Sequence, residues 1–335
     1  MHISSTSSTF ALLVQSFFCQ WLIEQRNVSD QTIASYRDTF RLLLAFLERT
    51  RKKVPAALTL TDLDADSIAS FLDYLESERG NCIRTRNARL AAIRSFLKYA
   101  AVRDPASLPS VQRVLAIPTK RHGRPTLCFL SREEMMAVIE SPNVATWSGQ
   151  RDHVLFSFLY NTGARVSEAV AARRGDISLS PTRSVRITGK GRKQRVVPLW
   201  KGTADSLKDW LGKIDSSLDA PLFPNRGGRP LSASGVEKRL HEAVERASAQ
   251  CPGIKTKKIS PHTIRHTTAM HLLQAGVDIT VIALWLGHES AETTHQYVEA
   301  SLAMKERALA KLEQLPVARV RYRPTDKLLQ FLDGL

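Results

Sequence analysis

The apolar positions of the first hundred residues fall at helical spacing. Leu13, Phe17 and Trp21 recur every four residues within 8–26, and Ile33, Tyr36, Phe40, Leu43, Leu44 and Leu47 keep to one side of 29–51, so that each segment buries one stripe and wets the rest. Ser29 stands where the second segment needs an N-cap. Asp66 is the expected cap of a third helix over 67–78, closed by Gly80, and a fourth runs over 85–101 until Asp104-Pro105 stops it. From Pro105 to Pro125 the text turns to Pro, Ser, Arg and Lys without a period, which predicts an exposed linker.

Beyond the linker, Ser131 and Glu134 form a capping-box pattern that opens a helix through Ile139, and a further helix over 151–159 ends at Asn161-Thr-Gly163. Two alternating stretches, 184–188 and 195–199, flank Gly189-Lys-Gly-Arg-Lys193 and read as a hairpin with a basic tip. Helical text resumes over 231–248, 264–275 and 278–286. The expected fold class is mainly α with a small antiparallel β-sheet, in two domains. The expected divisions are a helical domain over 1–105, a basic linker over 106–128, a second domain over 129–315 and a tail over 316–335.

Charge changes this picture more than composition does. Lys and Arg number 48 against 32 Asp and Glu, a net +16, which makes a polyanion the natural partner. In the fourth helical segment Arg84, Arg86, Asn87 and Arg89 share an amphipathic run with Ile93, Phe96 and Leu97. Such a helix can lie on a phosphate backbone while its apolar stripe anchors it, although a solvated helix face reads the same way. Arg121 and Arg124 in the linker, and Arg192 and Lys193 at the hairpin tip, complete the basic positions open to such a polyanion. The four cysteines are scattered, without metal-knot or disulfide spacing, and fit a reducing cytoplasm. The run Phe10–Phe18 lacks the basic start and cleavage site of a signal peptide, and no apolar run approaches the ~20 residues a bilayer requires, so no membrane association is expected.

Four short boxes carry candidate chemistry: Thr162-Gly-Ala-Arg-Val-Ser-Glu168, Thr188-Gly-Lys-Gly191, His262-Thr-Ile-Arg-His266, and Leu286-Gly-His288 followed by Thr293-Thr-His-Gln-Tyr297. Each alone has a bland structural reading. His262 and His266 have the spacing of two metal ligands on one helix face, but Thr-Ile-Arg lies between them and supplies a cation where a metal site wants a carboxylate. No metal is expected. Taken in order, the boxes supply what transfer of a phosphodiester needs. Arg165 and Arg265 are cationic forks for the non-bridging oxygens of a pentacoordinate phosphate. A tyrosine is a weak nucleophile and a departing alkoxide needs a proton, roles open to His262 and Lys190.

With these residues in view, the chain resembles a tyrosine recombinase of the phage-integrase family, in an Xer-like layout. The resemblance implies six catalytic residues, Arg165, Lys190, His262, Arg265, His288 and Tyr297, with Glu168 and His266 in support. The nine-residue step from His288 to Tyr297 belongs to the same pattern. It implies a core-binding domain in the N-terminal helices, a clamp around double-stranded DNA, a 3′-phosphotyrosine intermediate and no cofactor. It also implies a homo-tetramer on two DNA sites, or a mixed one with a related recombinase, working through a Holliday junction with a C-terminal helix over 302–315 docked on a neighbour. Tyr322, in the basic tail, lacks a preceding Leu-Gly-His and is a poor rival to Tyr297. The tail favours a mobile element as the setting. A type IB topoisomerase or a silent DNA-binding regulator are the alternative readings.

Overall fold

A computed structural model describes residues 10–123, 127–189, 191, 193–288, 294 and 297. Arg124, Lys190, Arg192 and Thr293, the helix expected over 302–315 and the tail with Tyr322 lie outside the described residues. The chain divides into two compact units, Met1–Pro125 and Thr126–Leu335.

Helices are the regular elements of the first unit among its described residues. Helix α1, Phe10–Ser16, runs on as π-helical turns over Phe17–Gln25, and α2 spans Asp30–Arg51 with the Ser29 hydroxyl accepting the Thr32 N–H. Helix α3, Ala65–Ser77, is capped by Asp64 rather than the expected Asp66: the Asp64 backbone is extended and its carboxylate accepts the Ser67 N–H at 2.7 Å, while Asp66 already lies in the first turn. Helix α4 is Ile83–Arg103. Phe17, Phe40 and Phe96 meet at its centre with ring centroids 5.2–6.3 Å apart, each contributing about 2 kcal/mol by burial.

Part of the segment expected as a linker, 106–128, is helical. Leu108–Ala116 form helix α5, and Val111 and Val114 are buried in the same core as Phe96. Pro109 belongs to the first turn of α5, where proline's missing N–H costs nothing, so the prolines that read as breakers instead mark a helix start. The segment after α5 is tied to α4. Arg94 donates to the Ile117 carbonyl, Arg86 to that of Pro118 at 3.4 Å, and the Asn87 amide to that of Lys120 at 2.8 Å.

In the second unit α6 spans Arg132–Glu140 behind the Ser131–Glu134 capping box, and α7 spans Trp147–Thr162. Then come α8, Val166–Ala171, and strands β1, Ile177–Ser178, β2, Ser184–Thr188, and β3, Gln194–Pro198. The sheet is antiparallel in the order β1-β2-β3, with Val185 opposite Val197 and Ile187 opposite Arg195. Helix α9, Lys201–Leu211, falls where the sequence suggests no element. Helices α10, Ala233–Ala247, α11, Pro261–Gln274, and α12, Ile279–Leu286, complete it. Helix α11 begins at Pro261, a turn earlier than its apolar pattern predicts, because Ser260 caps it and Pro261 fits its first turn; His262 is thereby helical. Among the described residues no helix is long and apolar enough to cross a membrane.

Candidate active site

The end of α7 and the end of α12 are built against each other. Gly163 closes α7 in the left-handed conformation, φ +60°, and a Cβ there would stand 2.3 Å from Leu286. Only glycine permits both the turn and this approach. Arg265, from α11, is locked where the two ends meet. It donates to the Gly163 carbonyl at 2.6 Å and to the Leu286 carbonyl at 2.8 Å, and it is 2 % exposed. Burial, then repulsion from Arg165, pulls its guanidinium down to about 10, which leaves it charged at neutral pH.

Arg165 is the N-cap of α8, held by Glu168 one turn along. Its N–H donates to Glu168 Oε2 at 2.9 Å and its guanidinium to Oε1 at 2.8 Å, with a longer contact of 3.4 Å to the Gly287 carbonyl. Burial works against ionisation of Glu168, but hydrogen bonds and charge from Arg195, then Arg165, overcome it and hold the carboxyl below its ordinary value. Arg195, on β3, is absent from the residues anticipated above. It completes the cluster by donating to both Glu168 oxygens and to the Trp285 carbonyl. Trp285, Leu286 and Gly287, three consecutive carbonyls at the end of α12, thus each receive a different arginine. Carbonyls at a helix C-terminus lack intrahelical donors and carry the negative end of the dipole, so cations suit them.

Tyr297 lies against this cluster, 1 % exposed. Its hydroxyl is hydrogen-bonded to His266 Nδ1 at 3.0 Å, and its ring stacks on His288 with centroids 6.1 Å apart. The His262 and His266 rings meet edge to face at 4.4 Å, and His288 Nδ1 pairs with the Thr294 hydroxyl at 2.7 Å. Burial first, then neighbouring His262 and Arg265, pushes His266 down to about 4. Burial, then Arg265 and Arg165, does the same to His288. Both rings are therefore neutral at physiological pH, and each can donate one hydrogen bond and accept another without adding charge beside the guanidiniums. Among the described residues no three or more His, Cys, Asp or Glu side chains are grouped so as to hold a metal.

Of the residues anticipated from sequence, Arg165, Glu168, Arg265, His266, His288 and Tyr297 converge through these contacts, and His262 adjoins through His266. The anticipated DNA contacts divide. Arg84, Arg121 and Lys193 are exposed and Arg89 is half-buried, but Arg86 is buried, 3.5 Å from Glu76, and Asn87 is bonded to Lys120. Arg86 and Asn87 are fasteners of the segment after α5, with their polar atoms turned to protein. Arg195 was legible in the hairpin register: it faces buried Ile187 and sits two residues from buried Val197, and a charge on the inner face of a sheet needs a partner.

The family model described as Phage integrase family matches residues 128–303, and that described as Phage integrase, N-terminal SAM-like domain matches 16–104. A Sinorhizobium fredii protein assigned as an integrase/recombinase is 47 % identical over 98 % of this chain and 99 % of its own length. Tyrosine recombinase XerD of Staphylococcus saprophyticus is 31 % identical over 83 % of this chain and 90 % of its own. The XerH site-specific recombinase, solved in a post-cleavage complex with its palindromic difH substrate, shares the fold with a TM-score of 0.66 at 23 % identity, over 85 % of this chain and 81 % of that one. With family models matching within both units and relatives at 47 % and 31 % identity over most of the chain, the chain belongs to the phage integrase family of tyrosine recombinases.

Proposed function

We propose that this protein is a site-specific DNA recombinase that cuts and rejoins duplex DNA through a 3′-phosphotyrosine on Tyr297. The observation that carries this reading is the gathering of one tyrosine hydroxyl, two neutral imidazoles and backbone-locked guanidiniums in one place. The Tyr297 oxygen attacks the scissile phosphorus, the bond to the 5′ oxygen breaks, and the phosphate remains joined to the tyrosine. Arg165, Arg265 and His288 hold the non-bridging oxygens, where fixed donors stabilise developing negative charge without reorganising. His262 takes or shares the phenol's proton, with His266 in support, and Lys190 protonates the leaving 5′ oxygen. The phosphotyrosine conserves the bond energy, so attack by a free 5′-hydroxyl reverses the step without a nucleotide.

The wider reading follows the family. Four copies act on two DNA sites through a Holliday junction, with the basic surface of both units, including Arg84, Arg89, Arg121 and Lys193, on the DNA backbone. We place this activity in the cytoplasm and on a mobile element. Covalent protein–DNA complexes captured on the host's own DNA identify the cleavage site, and a nicked suicide duplex carrying that site then traps the adduct. Tyr297→Phe is expected to bind the duplex and form no adduct. An adduct that persists in this variant removes Tyr297 from its role. Recombinant product from two such sites separates exchange from relaxation by a topoisomerase, and binding without any adduct by the unaltered protein would leave only a regulator.

A further inference from the structure

Arg195 is too well connected to be a spare charge, since all three of its guanidinium nitrogens are bonded to protein acceptors. Its side chain is 11 % exposed against 37 % for Arg165, so of the two guanidiniums on Glu168 only Arg165 has an open side. Glu168 is 3 % exposed, and its oxygens are fully subscribed. Oε1 accepts Arg165 at 2.8 Å and Arg195 at 3.2 Å, and Oε2 accepts the Arg165 N–H at 2.9 Å and Arg195 at 2.7 Å. The third arm of Arg195, its Nε, reaches the Trp285 carbonyl at 2.9 Å. The hairpin is packed onto the same carboxylate, since a Cβ at Gly189 would stand 3.1 Å from Glu168 Oε1, and a Cβ at Gly287 would stand 3.0 Å from the Arg195 guanidinium.

Resting on the recombinase reading above, we infer that Arg195 is a positioning residue: by occupying one side of the Glu168 carboxylate and gripping the end of α12, it fixes where Arg165 points. A carboxylate with two vacant acceptor sites draws a neighbouring guanidinium into a two-pronged pair. With Arg195 removed, Arg165 is the guanidinium at hand, and it turns into Glu168 and away from the phosphate. Arg195 also joins β3, which leads out of the hairpin turn, to the turn carrying His288, so three of the sequence boxes share this one side chain.

The test uses the full chain and the nicked suicide duplex, read as single-turnover adduct formation at saturating DNA. Arg195→Met is expected to slow the adduct about 100-fold, as a displacement of about 1 Å in a catalytic group does, while DNA affinity stays near that of the unaltered protein. Its pH profile carries the distinguishing signal. Glu168 faces Arg165 from α8, Arg195 from β3 and Arg265 from α11, and Arg195 is foremost among the groups that hold its carboxyl down against burial. Without Arg195 the carboxyl titrates higher, so the residual rate falls as pH drops through a range where the unaltered enzyme is flat. Arg195→Lys, which keeps the charge, is expected to restore that acid side. In a double-mutant cycle with Glu168→Gln the two losses are expected to overlap. Additive losses, a loss that is equal at every pH, or an unaltered rate in Arg195→Met would each overturn the inference. Absence of any adduct with the unaltered protein would instead overturn the recombinase reading.

Discussion

Two groups of arginines, one in each unit, make opposite use of the same contacts. In the first unit Arg86 and Arg94 of α4 donate to the carbonyls of Pro118 and Ile117 and hold the chain that leaves the core; the Arg86 side chain is 6 % exposed and faces Glu76. In the second, Arg165, Arg195 and Arg265 each donate to a carbonyl at the end of α12, Arg265 also to that of Gly163, and Arg165 and Arg195 share Glu168. The first arrangement spends its cations on fastening chain. The second sets them side by side around one carboxylate, so the local charge stays positive and one guanidinium stays open. The difference lies in the partners, since residue type and even bond type are the same.

The largest effect that would sharpen this contrast lies at Arg265. Arg265→Ala is expected to slow adduct formation by about 1000-fold, and it also strands the Gly163 and Leu286 carbonyls, lowering stability by about 1–3 kcal/mol. Arg165→Ala is expected to cost a similar or slightly smaller factor in rate with a smaller fall in stability than Arg265→Ala, because Arg195 still pairs with the Glu168 carboxylate. A large stability loss there would erase the distinction between reaching and holding. Next comes Arg86→Ala, for which the stability of the first unit in urea unfolding should fall by about 1–3 kcal/mol and the cleavage rate at saturating DNA should not change. A normal midpoint with weakened DNA binding would return Arg86 to the DNA surface. The smallest effect is expected of exposed Arg84: Arg84→Ala weakens binding a few-fold and reduces the slope of log affinity against log salt by about 1.

The sequence was most readable where chemistry dictates residue type. A phosphoryl transfer wants guanidiniums, imidazoles and a hydroxyl, and those residues stand out in Thr162–Glu168, His262–His266 and around Tyr297. It was less readable where packing decides. Nothing in periodicity distinguishes an α4 arginine on DNA from one bound to a carbonyl thirty-odd residues later, as Arg86 is to Pro118. Two prolines disguised α5, although proline in a first helical turn is as much a beginning as an end. Asp64 and Asp66 are both adequate caps on paper, and the extended backbone at Asp64 chose between them. Arg195 reads as one more basic residue of a basic hairpin until the strand register turns it inward.

The end of α12 has a consequence for how this protein can vary. Its three last carbonyls hold three arginines that arrive from α8, β3 and α11. Inserting or deleting one residue within Ile279–Leu286 would rotate that terminus by about 100° relative to the rest of the helix and misdirect all three grips at once. Side chains on the outer face, such as Val281 and Leu284, are exposed and take no part in these grips. A change of side chain on that face leaves the three grips in register whereas a change of length does not, and α12 serves the active site as a gauge block serves a workshop, by being the right number of residues long.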